Sequence, residues 1–121
     1  MRNFILLLAI FGLFSCKKST DGTIITGKVV YRSCASIVVQ VTDSSHFYLG
    51  ENGWQQKPNK GVYDNVFTVA NTCSFGPTKE GQSFTFTVLP RNPNPGDCVV
   101  CALYDNPPAK KHAIKVINPS L

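Results

Sequence analysis

Helix-forming residues are scarce in this chain. Methionine occurs only at Met1, and glutamate only at Glu51 and Glu80. Val, Ile and Thr dominate from Thr23 onward instead. Straight-chain residues favour helices and β-branched ones favour strands, so a helical bundle is excluded. Charge is thin as well, at 16% charged residues with a formal +5. That balance argues against a disordered charged tail or a basic arm that tracks nucleic acid. No apolar run reaches the ~20 residues that a membrane-spanning helix needs. Catalytic signatures are missing too. The sequence has no Gly-x-Ser-x-Gly, no Walker loop and no Gly-x-Gly-x-x-Gly. His46 and His112 are its only histidines, and neither has metal-ligand spacing or a paired carboxylate beside it. Both are expected to be surface or partly packed side chains. The expectation is a non-enzyme that uses no cofactor, and 121 residues allow one domain.

What is present begins with an address. Met1-Arg2-Asn3 is a short basic start, and residues 4–14 form an apolar run of about eleven, within the ~7–15 of a signal-peptide core. Leu13-Phe14-Ser15-Cys16 resembles the lipobox of bacterial lipoproteins, which carry a type II signal peptide. The resemblance implies cleavage before Cys16 and lipidation of its sulfur. It divides the chain into a signal peptide at 1–15, a lipidated cysteine with flexible tether at 16–22, and a domain at 23–118. Two or three acyl chains anchor stably where one would not. Lys17 and Lys18 would lie against anionic headgroups. Within that family an Asp after the cysteine often marks inner-membrane retention. Lys17 stands there instead, which implies the outer membrane, facing the periplasm or the cell surface.

Six runs read as strands: 23–32, 36–43, 64–71, 83–89, 98–104 and 111–117. The first alternates Ile25, Gly27, Val29 and Tyr31 on one side. The fourth sets Phe84, Phe86 and Val88 against Ser83, Thr85 and Thr87. Residues 98–104 are apolar throughout, as in a strand buried on both faces. Short period-2 runs between Gly- and Pro-rich turns predict an all-β sandwich or barrel. The glycine-containing first strand, the long excursion before the third strand and the run 80–86 resemble a small, six-stranded, partly open OB-like β-barrel. An immunoglobulin-like β-sandwich is the alternative.

Four cysteines remain after Cys16, namely Cys34, Cys73, Cys98 and Cys101. An even count in an exported domain predicts disulfides. An offset of three on a regular strand puts Cys98 and Cys101 on opposite faces, so each would pair with Cys34 or Cys73. The alternative use of these four is a metal or thiol-redox site. The excursion at 44–63 exceeds the usual ~12–15 residues of a loop, so it is functional or carries its own small element. It holds Phe47, Tyr48, Trp54 and Tyr63, with Lys57, Lys60, Gln55 and Gln56 as a polar rim. Those aromatics either cover an open end of the barrel or form a recognition surface. The expected role is a non-catalytic binding or envelope-assembly module for a protein or glycan. A structural or accessory lipoprotein is the second reading, and nucleic acid is not an expected ligand.

Overall fold

The computed structural model describes residues 22–58, 60–93 and 101–118. The expected signal peptide and lipidation site at Cys16, most of the expected tether and Cys98 lie outside the described residues. Six strands form: β1 (Ile25–Arg32), β2 (Ile37–Val41), β3 (Val66–Val69), β4 (Ser83–Val88), β5 (Lys111–His112) and β6 (Ile114–Asn118). They make one sheet in the order β5-β3-β2-β1-β4-β6, with only β3–β5 parallel. The sheet curls through 192° into an open half-barrel, an OB-like fold and not an immunoglobulin sandwich.

Curling needs a strand that neighbours can approach closely, and Gly27 in β1 provides it. A Cβ there would lie 2.9 Å from both Phe86 Cε1 and Val39 Cγ1. Those two side chains therefore close over the strand where any larger residue would hold them apart. Inside the curl, Ile25, Val29, Val39, Phe67, Phe84, Phe86 and Ile114 are fully or almost fully buried. Phe67 and Phe86 pack at 5.8 Å between ring centroids, and Phe84 and Phe86 at 5.5 Å. The alternation of Phe84 and Phe86 with threonines thus becomes the inner and outer faces of β4.

Both end strands come from one stretch of chain. β5 pairs with β3 and β6 pairs with β4, and only Ala113 separates them. At that switch the backbone leaves one ladder before it has joined the other. The side chain of Asn71, 2% exposed, fills the gap. Ile114 N–H donates to Asn71 Oδ1 at 2.9 Å, and Asn71 Nδ2 donates to the Ile114 carbonyl at 2.7 Å. A buried backbone pair that would otherwise be orphaned is satisfied by one amide.

Two expectations are corrected. The run 98–104 is not a buried strand over its described part: residues 101–104 are irregular and exposed, Tyr104 by 84%. The segment 111–118, and not this run, pairs along the edges of β3 and β4. Tyr31 does not share a face with Val29 either. Register passes from Val29↔Val39 to Tyr31↔Val38, leaving Val30 as an extra residue. This β-bulge turns Tyr31 to the outer face.

Candidate functional site

The outer face of the sheet carries a second, smaller cluster. Val38, Trp54 and Val66 are buried there, with Val30, Tyr31 and Tyr63 packed against them. The 44–63 excursion builds it. After the 3-10 turn Ser44–Leu49, Gly50 passes against the start of β3 so closely that a Cβ would lie 2.1 Å from the Asn65 carbonyl carbon. The chain then pairs Trp54 with Tyr63 through reciprocal backbone hydrogen bonds of 3.0 and 2.8 Å. Trp54 lies over the sheet, 6% exposed, and its Nε1 donates to the Asn106 carbonyl at 2.8 Å. Trp54 is therefore a floor and not a protruding anchor. Its ring meets Tyr31 edge-on at 6.1 Å and Tyr63 at 6.2 Å.

Above this floor is an open cavity of about 280 Å³, lined by Tyr31, Trp54, Tyr63, Lys57, Lys60 and Glu80, with Val30 and Gln56. Gln55 fixes the loop that carries both lysines, donating to the Pro58 and Lys60 carbonyls at 3.1 and 2.7 Å. The arrangement offers flat apolar rings, cationic donors and one carboxylate acceptor around a common space.

One wall is held by residues far away in sequence. Cys34 is bridged to Cys101 across 67 positions. Beside the bridge, Asp105 is 7% exposed and accepts from Tyr31 Oη at 3.0 Å, Ser33 Oγ at 2.5 Å and Ser36 Oγ at 2.6 Å. The segment 101–108 is thereby fastened across the β1–β2 turn. Cys73 is disulfide-bonded as well. Cysteines held in disulfides present no thiolate to a metal or a redox partner.

The environment of Asp105 sets a pH dependence. Burial pushes its carboxyl pKa up, but the hydrogen bonds from Ser33, Ser36 and Tyr31 outweigh it and leave the pKa below the ordinary value. Burial also pushes the Tyr31 phenol up. A carboxyl depressed on folding contributes stability that is complete above its unfolded pKa and is lost as pH falls through the folded one. Asp105→Asn is therefore expected to be less stable than wild type near neutrality. The difference should shrink on acidification below about pH 4, the unfolded carboxyl range. Urea titrations of both proteins at several pH values check this, and a pH-independent gap would count against it.

The four aromatics of the excursion do not form one surface. Trp54 and Tyr63 line the cavity just described. Tyr48, 61% exposed, lines a different cavity, and Phe47, 38% exposed, lines neither. Tyr31, Glu80 and Asp105 were not legible as site residues. Tyr31 reaches the site through a bulge that leaves no mark in the pattern, and Asp105 sits in a proline-flanked stretch that reads only as a breaker.

The second cavity, about 220 Å³ and mostly apolar, is lined by Thr23, Ile25, His46, Tyr48, Leu49, Val88 and His112. No protein family, curated protein or solved structure matches this chain.

Proposed function

We propose that this chain is a lipid-anchored module of the bacterial cell envelope that binds a glycan without catalysis, through the cavity over Tyr31, Trp54 and Tyr63. The observation that carries the reading is the combination lining one space: aromatic rings below, with Lys57, Lys60, Gln56 and Glu80 around them. The C–H faces of a sugar ring pack on aromatic rings, and its hydroxyls need both donors and acceptors. Lysines alone would suit an anion, whereas Glu80 repels one and accepts from a hydroxyl. At about 280 Å³ the cavity is just below the ~300–1,000 Å³ of sites for drug-sized ligands, so a single ring or a chain end fits best.

The anchor rests on the lipobox-like Leu13-Phe14-Ser15-Cys16. Disulfides form and persist in exported proteins, so the Cys34–Cys101 bridge supports an extracytoplasmic address. Lys17 stands where, in the resembled lipoproteins, an Asp often marks inner-membrane retention, which supports an outer-membrane reading. A protein-facing accessory role is the second reading, favoured by Leu103 and Tyr104, exposed by 54% and 84% on the segment beside the cavity.

One experiment tests anchor and ligand together. Membranes from cells expressing the full chain should retain it, and Cys16→Ser should move it to the soluble fraction. The wild-type protein should be retained on insoluble peptidoglycan or on immobilised envelope polysaccharide. Tyr63→Ala is expected to weaken that retention about tenfold, the effect of losing one stacking contact with its hydrogen bond. Retention unchanged in Tyr63→Ala would remove the cavity from the reading. No retention on any glycan would leave the accessory role.

A further inference from the structure

The two histidines come from positions 46 and 112, yet both residues line the same cavity. How each ring is held decides what it can offer. His112 Nε2 lies 2.8 Å from the Leu49 carbonyl oxygen. A carbonyl only accepts, so Nε2 carries the proton and the lone pair of the neutral ring is on Nδ1. The ring is further fixed edge-on to Phe67, at 5.0 Å and 78°. His46 Nδ1 lies 2.9 Å from Asp43 Oδ2. Asp43 is itself oriented by Ser45 N–H, which donates to its other oxygen at 3.0 Å. The Asp43 carboxylate accepts from Nδ1–H, so in the neutral ring the lone pair of His46 is on Nε2. Neither free ring nitrogen has a hydrogen-bond partner among the described residues.

Two imidazoles, each with one nitrogen tied to an oxygen and the other left as a donor, reproduce the outer-shell pattern of metal-bound histidines. We propose that His46 Nε2 and His112 Nδ1 bind one divalent first-row transition metal ion at this cavity, with copper(II) held more tightly than zinc. The ordering follows from the affinity of nitrogen sites along the first-row series. Among the described residues no group of three or more His, Cys, Asp or Glu gathers here. Water or an added donor would fill the remaining positions, making the site open and exchangeable instead of structural. The cavity is separate from the aromatic one, and the inference does not depend on glycan binding.

The test uses the full chain in detergent, stripped with EDTA and titrated calorimetrically with copper(II) and then zinc chloride in a non-chelating buffer. One equivalent of copper should bind, with nitrogen coupling from two imidazoles in its paramagnetic resonance spectrum. His46→Gln and His112→Gln should each weaken binding by about tenfold or more, and Asp43→Asn by about tenfold. His112 is half-buried, so its variant is compared with wild type by melting in EDTA. His46 is on the partly exposed 3-10 turn, and its variant keeps the test decisive if His112→Gln fails to fold. Wild type binding no copper, or His46→Gln binding it unchanged, overturns the proposal. So does copper bound tightly but with no imidazole coupling.

Discussion

Asn71→Ala is expected to destabilise the domain by about 4 kcal/mol, because two buried backbone groups lose their partner at once. The Ile114 N–H and carbonyl both bond the Asn71 side chain, and Ile114 is fully buried. A buried polar group left unsatisfied costs roughly 1–3 kcal/mol, and alanine leaves a small cavity in addition. Domains of this size have only about 5–15 kcal/mol in total, so the variant should be partly unfolded at modest urea concentrations. Asn71→Asp is the informative companion. It can still accept from the Ile114 N–H, but it cannot donate to the carbonyl and it brings a buried charge, so near neutrality it should be no better than alanine. Urea denaturation of the three proteins decides the matter. A loss below about 1 kcal/mol for Asn71→Ala would show that the switch between ladders does not depend on this amide.

Loss of the Cys34–Cys101 bridge should have a comparable effect by a different route. The bridge spans 67 positions, and the chain-entropy relation gives about 4 kcal/mol for a loop of that length. The double variant Cys34→Ser/Cys101→Ser is the cleanest probe, since reduction would open the disulfide at Cys73 as well. Non-reducing peptide mapping is expected to find Cys34–Cys101 together with Cys73–Cys98. Consequences should reach the aromatic cavity. The freed segment carries Asp105, which holds Tyr31, and Asn106, whose carbonyl holds Trp54. Glycan retention should therefore fall in the double variant under conditions where it is still folded. A variant that melts like wild type would show that Asp105 alone fastens the segment.

Much of the sheet was legible because burial on one face imposes a period of two. Phe84 and Phe86 against their threonines gave β4 directly, and Gly27 marked the strand on which neighbours close. Failure came where a tertiary partner overrides the pattern. Residues 101–104 are as apolar as a buried strand, but a disulfide and a carboxylate fasten the stretch outside the sheet. Tyr31 has the right parity for the inner face, and a single bulged residue reverses it. The excursion at 44–63 was too long for a plain loop, which did point to an element of its own. Its aromatics do not act together: Trp54 is buried over the sheet as a cover would be, and Tyr48 lines a different cavity from Tyr63. Residues tens of positions apart that come to line one cavity, such as His46 and His112, leave no periodic trace at all.

The single stretch that supplies both β5 and β6 has a bearing on how the protein is made. Until residues 111–118 have arrived, β3 and β4 are two open edges of the same sheet, the kind of surface that pairs with other chains. Neither edge can be covered early, since both partners come from the same few residues. Such late, non-local pairing slows folding and prolongs exposure.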